Sequence, residues 1–498
     1  MKVFGTIFPF IESPEKNLKM GRLVANYEFL QALLKHGHFD AYHLFCLNTT
    51  HQQWTKEKVK EMDLPDSIKA RVTLLTYAHL IERIKQENYH VFHLGGWGYF
   101  FSDLVYLRNR YAKNKFPITG LIHSLNAQIT NVHALKVSWS PLLSYDTIIC
   151  SSLAGQTAIK NVFSNLSKNL SSAMIPFKNH PRLEMVPLGI ADHFFDAIPK
   201  TDSRHRLQLL SSGFFFLSMG RFSPTLKMDF YPLLLAFQEL INNNNKQNIF
   251  LLLCGSGSPS EIKLLETMLR ELNLTEQVRI FSNFDSSQKI HLYNAADAFI
   301  SLSDNVQETF GLAVIEAQAR GIPVIVSDWN GYRELVETDY NGYKIPTCWT
   351  SELLQEELAD IMNFETMQLL MAQSTAVDLK ELNTALEKLS GDPALCQRLG
   401  ENGKKRSFEK YRWSIVIKQY EELWEKLFQE SMKDPETGLE LNPLRTDYST
   451  VFTHYPTSFL AIDNLLKITA RGKTVLSEKK LPPPLHRSVP LSYPGPAL

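Results

Sequence analysis

Residues 298–328 read AFISLSDNVQETFGLAVIEAQARGIPVIVSD. AFISLS has the short apolar run of a buried strand. FGLAVIEAQARG has helical spacing and ends at Gly321, and IPVIVSD is a second apolar run. Strand, helix and strand in succession predict a parallel sheet covered by helices. Glu308 falls just before the expected helix start and Glu316 about two turns in. A helix N-terminus offers free N–H groups and a positive dipole end, a seat for phosphate or another oxyanion. Gly311 lets the backbone approach a ligand closely. Carboxylates repel phosphate, so the two glutamates suit sugar hydroxyls, which an ionised carboxylate accepts in pairs. The plainer alternative is two acids that favour the helix dipole. Spacing alone leaves both open.

The same alternation runs outward in both directions. Strand candidates in the first half are Val3 to Phe8, Ala41 to Leu47, Val72 to Leu75, His90 to Leu94, Ile118 to His123, Thr147 to Cys150 and Met185 to Pro187. RLVANYEFLQALLKHG lies between the first two as a helix ending at Gly37. FFFLSMG, NIFLLLCG and VRIF precede the opening stretch as further strands. Two βα series, with a break near Phe195 to Ser212, predict an α/β protein of two Rossmann-like domains. From Asp378 the pattern is helical, ending in WSIVIKQYEELWEKLFQE. Beyond Ser431 the composition shifts, with nine prolines in the last 68 residues. That tail reads as irregular, with one short helix near SFLAIDNLLKI.

A chain of 498 residues, 44% apolar and 21% charged, fits a globular protein of several domains. Zero formal net charge gives no sign of a nucleic-acid partner. Five scattered cysteines, with no CxxC pair, argue against a disulfide framework or zinc site and for a reducing cytoplasm. MKVFGTIFPFIESPE reads as a first strand rather than a signal segment. No run approaches the ~18 apolar residues of a membrane span. Charge is uneven: residues 1–200 hold 22 Lys and Arg against 15 Asp and Glu, a net of +7. Between Leu104 and Leu183, Asp146 stands alone against nine bases, among them Arg108 and Lys136. The first domain could meet an anionic membrane peripherally or take an anionic acceptor; the alternative is an ordinary solvated face.

Two further stretches carry chemistry. SMGRFSPTLKMDFYPLLLAF sets Gly220 at a strand end, Arg221 after it and Lys227 before a helix. These cations sit on the kind of loop where open α/β folds bind ligands, and could neutralise a diphosphate. LLLCGSGSPSE repeats the strand and glycine-loop arrangement at Gly255 and Gly257. Taken in order, GRFSPTLK, LLLCGSGSPSE, the segment from VRIF through RELV, and NGYKIP resemble the retaining family 4 glycosyltransferases of the GT-B fold (glycosyl transferases group 1). The resemblance is strong over about 214–346, resumes over about 378–428, where LSGDPALCQRLGENGKKR and WSIVIKQYEELW are similar to the family's C-terminal helices, and is looser in ITGLIHS, DTIICSSLAGQTAIKNVF and MVPLGIADHFF.

The resemblance implies an E-x7-E motif, with Glu308 on the donor sugar hydroxyls and Glu316 on the nucleotide ribose. It implies that Arg221 and Lys227 hold the diphosphate. Gly255, Thr309 and the backbone of Phe310, Gly311 and Leu312 would complete the donor site, and His123 would lie near the reaction centre. Glu308, Lys227, Arg221 and His123 form the expected catalytic set. No metal or cofactor is implied, and no DxD pair calls for one. The donor would be a UDP-, GDP- or ADP-sugar, and the acceptor is unassigned. Expected boundaries are 1–200 for the acceptor-side domain and 201–410 for the nucleotide-sugar domain, with a helical insertion at about 347–377. A crossover helix at 411–430 and a Pro-rich extension at 431–498 complete the chain. The first loop departs from the family: SPEKNLKMGR offers Gly21 where paired glycines are usual. GGWG at 95–98 would line the acceptor cleft. The implied activity is retaining hexosyl transfer. A GT-B phosphorylase, a sugar-nucleotide epimerase and a non-catalytic partner subunit are the alternatives.

Overall fold

The computed structural model describes residues 1–8, 10–11, 21–126, 129–244, 248–282, 284–350, 361–433, 442, 444–455 and 469–478. The first sheet holds β1 (Val3–Ile7), β2 (Ala41–Cys46), β3 (Val72–Thr76), β4 (Tyr89–Leu94), β5 (Ile118–Leu121), β6 (Thr147–Cys150) and β7 (Arg182–Met185), in the order β3-β2-β1-β4-β5-β6-β7. The second holds β8 (Phe214–Met219), β9 (Ile249–Gly255), β10 (Val278–Ser282), β11 (Ala298–Ser301), β12 (Val324–Ser327) and β13 (Gly342–Ile345), in the order β10-β9-β8-β11-β12-β13. Neighbouring strands run parallel, for example β1 with β4 and β8 with β11. Parallel strands are covered on both faces, which is why the central ones read as unbroken apolar runs. Both sheets reverse their strand order at the first strand and the fourth, the crevice where doubly wound sheets take ligands. β13 was not among the expected strands: GYKI is short, and its polar Lys344 breaks the apolar pattern.

The helix Lys200–Arg206 packs with the second sheet, through Arg204 to Asp297 (2.7 Å) and Ser203 to His291 (2.9 Å). The helix Trp413–Ser431 returns to the first domain. Its Trp424 sits 5.6 Å from Phe4 and 5.8 Å from Phe39, and its Tyr420 meets Phe29 at 5.0 Å, all ring to ring. Ion pairs Lys2–Glu425 and Arg182–Glu430 rim this contact.

The basic stretch of the first domain is not one solvated face. Arg108 is fully buried against Asp146, with Nη1 to Oδ1 at 2.5 Å and Nη2 to Oδ2 at 2.8 Å. The segment expected as a helical insertion is framed by an antiparallel ribbon, Thr347–Trp349 with Thr375–Val377, and its described helix is Phe364–Gln373. In the tail the structure gives helices at Tyr448–Val451 and Ala470–Glu478. The helix expected near SFLAIDNLLKI, and most of the SPEKNLKMGR loop, lie outside the described residues. All five cysteines are free, and four are buried.

Candidate active site

A cleft of about 1430 Å³ separates the two sheets. From the second domain it is lined by Gly220, Arg221 and Lys227 after β8, Gly255 at the end of β9, and Glu308 to Ala313 after β11. The loops after β8 and β11 flank the strand-order reversal, so the topology itself brings Arg221, Lys227 and Glu308 together.

Lys227 Nζ donates to Glu308 Oε2 at 2.6 Å and to Tyr332 Oη at 3.0 Å, and Tyr332 Oη lies 2.9 Å from Ser301 Oγ. Burial alone would lower the Lys227 pKa, but Glu308 and Tyr332 beside it raise it above the ordinary lysine value. Burial would likewise raise the Glu308 carboxyl; the Lys227 ammonium outweighs that and holds it below the usual carboxylate range. Both groups are therefore charged at neutral pH. Arg221 lines the same space and spends one N–H on the Leu226 carbonyl at 3.0 Å.

The helix after Glu308 begins at Leu312 and ends at Ala319, shorter than the expected stretch. Gly311 has φ +116°, a left-handed conformation that keeps residues 310 and 311 out of the helix. A side chain there would also meet the Tyr332 ring at 2.5 Å. Glu316 is thus little more than one turn in. It is almost fully buried: Oε1 accepts from Lys289 Nζ at 2.5 Å and Oε2 from Tyr293 Oη at 2.7 Å. Lys289 and Tyr293 were not singled out from sequence. Both lie in the Ser286–Ala295 helix, where single Lys and Tyr residues look like ordinary helix positions.

Gly255 lines the cleft, yet its lack of a side chain is explained by the fold. A Cβ there would come within 1.7 Å of the Gly220 carbonyl oxygen, so the two loops abut backbone to backbone. Thr309 is buried, and its hydroxyl donates to the His123 carbonyl across the cleft. Ser152 donates to the Thr309 carbonyl at 2.5 Å. Glu334 accepts from the N–H groups of Leu153 and Ala154 at 2.8 and 2.9 Å, capping a first-domain helix with a second-domain carboxylate. The Phe310 N–H points to Glu308 Oε1 at 3.4 Å, and its ring packs edge-on against Tyr411.

His123 enters the cleft from the end of β5. Its Nε2 lies 2.8 Å from Asn26 Oδ1 and 2.9 Å from the Gly95 carbonyl. Two acceptors fix the proton on Nε2. Burial, with help from the nearby Arg22 cation, pushes its pKa down to about 4, against the opposing effect of the Gly95 hydrogen bond. It stands in the cleft as a neutral imidazole. Among the described residues, no three His, Cys, Asp or Glu side chains gather to hold a metal ion. No helix among them is long and apolar enough to cross a membrane.

Residues 199–376 match the family described as glycosyl transferases group 1. The match is to this segment alone. It contains Arg221, Lys227, Glu308 and Glu316. Similar curated proteins include D-inositol 3-phosphate glycosyltransferases. That of Streptosporangium roseum is 31% identical over 181 residues, 34% of this chain and 41% of that protein. That of Corynebacterium urealyticum is 32% identical over 132 residues, 25% of this chain and 31% of that protein. The match thus spans less than half the length of these relatives. Likeness to solved structures extends beyond this segment. Sucrose-phosphate synthase from Thermosynechococcus elongatus superposes with a TM-score of 0.58 at 19% identity, over 86% of this chain and 100% of that one. Anabaena HepE in complex with UDP superposes with a TM-score of 0.55 at 16% identity, over 85% of this chain and 99% of that one. The chain has the GT-B fold.

Proposed function

We propose that this chain is a retaining glycosyltransferase that moves a hexose from a nucleoside diphosphate sugar to an acceptor, without a metal ion. The observation that carries the proposal is the Lys227–Glu308 pair, with Arg221 beside it, at the strand reversal of the second domain. In this reading the donor diphosphate lies against Arg221, Lys227 and the N-terminus of the Leu312–Ala319 helix. Lys227 turns from Glu308 to phosphate as the donor enters, and Glu308 takes sugar hydroxyls. The bond between the anomeric carbon and the diphosphate oxygen breaks, and its electron pair leaves with the diphosphate. Fixed cations stabilise that developing charge in a site that excludes water. The acceptor oxygen attacks on the same face, and its proton leaves with the departing diphosphate. Neutral His123 lies on the opposite wall as a hydrogen-bonding group to the sugar. The UDP bound in HepE makes UDP-sugars the first donors to try.

Glu316 would take the ribose in this reading. Glu316→Gln is expected to weaken binding of UDP, or of whichever of UDP, GDP and ADP binds tightest, by about tenfold, the scale of one hydrogen bond to a charged group. Isothermal calorimetry reads this directly. Unchanged affinity would remove Glu316 from the nucleotide site.

A further inference from the structure

Glu28 is a cleft carboxyl with no role in the account so far. It lies on the helix Gly21–His36, whose Ala25, Phe29, Ala32 and Leu33 are buried in the first domain. Glu28 instead faces the cleft, on the wall opposite Glu316. Its one described hydrogen bond is weak, from Trp413 Nε1 to Oε2 at 3.4 Å. The cation whose charge acts on it, Lys289, already pairs with Glu316. Burial, then the Glu316 charge, push the Glu28 carboxyl up to about 7, while Lys289 and the Trp413 N–H pull the other way. A half-buried carboxyl with an uncommitted oxygen needs donors from something that enters the cleft.

The charges say what that something is. With Glu28 ionised, Glu28, Glu316 and Lys289 sum to one negative charge at this end of the cleft, and with Glu28 protonated to none, whereas Arg221 and Lys227 stand at the other end with Glu308. In either state the first end offers a phosphate no net attraction, and it does not repel neutral hydroxyls. Both Glu316 oxygens already accept from protein donors, which leaves Glu28 the freer acceptor. We propose that Glu28 accepts a ribose hydroxyl of the donor nucleotide, so that the ribose is held between Glu316 of the second domain and Glu28 of the first domain. The inference rests on the glycosyltransferase reading and deepens it. The nucleotide then touches both domains, and its binding draws them together through the ribose as well as through the sugar.

The test is calorimetric binding to the full chain, using UDP, GDP and ADP to find the tightest base, then its 2′-deoxy and 3′-deoxy forms. Wild type is expected to lose about tenfold or more in affinity when one hydroxyl is removed. Glu28→Gln is expected to bind the parent nucleotide about tenfold more weakly and to lose most of its discrimination against that deoxy form. Glu28→Asp, which keeps the charge but shortens the reach, should behave like Glu28→Gln. Unfolding midpoints of the empty variants check that they fold. If Glu28→Gln keeps wild-type affinity, or weakens binding while discriminating against both deoxy forms as wild type does, the inference is overturned and the glycosyltransferase reading stands. If wild type binds none of the three nucleotides, the reading and the inference fall together.

Discussion

Lys227→Ala is expected to lower donor turnover by about 100- to 1,000-fold, the effect of removing one preorganised charge from a transition state. The size follows from position. Lys227 is mostly buried, held by Glu308 at 2.6 Å and Tyr332 at 3.0 Å, so in the proposed reaction its charge already stands in the site before the diphosphate departs. The substitution also leaves Glu308 with a charge and no cation in contact, so the empty protein should unfold at lower temperature. Pairing it with Glu308→Gln separates the two effects. The double variant should regain stability and remain inactive, a non-additivity expected of groups in contact. Turnover within a few-fold of wild type in Lys227→Ala would remove Lys227 from the reaction.

The second large effect is structural. Asp146→Ala is expected to destabilise the first domain by about 3–5 kcal/mol, the cost of leaving a buried charge without its partner. Asp146 accepts from both terminal nitrogens of Arg108 and from the N–H groups of Leu143 (2.8 Å) and Ile118 (3.3 Å). It thereby ties the start of β5 to the loop before β6. Arg108 has further acceptors in the Phe116 carbonyl and Asn109 Oδ1, but among the described residues it pairs with no other carboxylate. Replacing both members, as Arg108→Met with Asp146→Leu, should recover much of the loss, because two apolar side chains need no counter-charge. Denaturant unfolding measures both. A loss below about 1 kcal/mol in Asp146→Ala would mean that water or a neighbouring group takes over the guanidinium.

The strands were legible because parallel sheets covered on both faces favour apolar runs, and twelve of the thirteen stand out in the alternation. Of these β7 lies at Arg182–Met185 rather than at Met185 to Pro187, because its alternating Arg-Leu-Glu-Met carries no apolar run; β13 did not stand out, since Gly-Tyr-Lys-Ile has none either. The start of the Glu316 helix was misplaced by two residues because apolar spacing continues through Phe310 and Gly311, while the positive φ of Gly311 is a backbone property. Arg108 was grouped with surface bases because composition counts charge without its depth. Arg221, Lys227, Glu308 and Glu316 could be singled out because they lie at strand ends and a helix start. Lys289 and Tyr293 could not, since what distinguishes them is a contact with Glu316 made across the fold. Glu28 is the sharpest case: one acid on an amphipathic helix, given meaning only by the wall it faces.

The proposed activity requires that the cleft bind and turn over a nucleoside diphosphate sugar. The direct measurement is release of nucleoside diphosphate from UDP-, GDP- and ADP-sugars, wild type beside Glu308→Gln, with calorimetric binding of the same donors. Wild type is expected to bind one donor and hydrolyse it slowly, with the hydrolysis lost in the variant. Absence of both turnover and binding for all three donor classes would contradict the proposed activity.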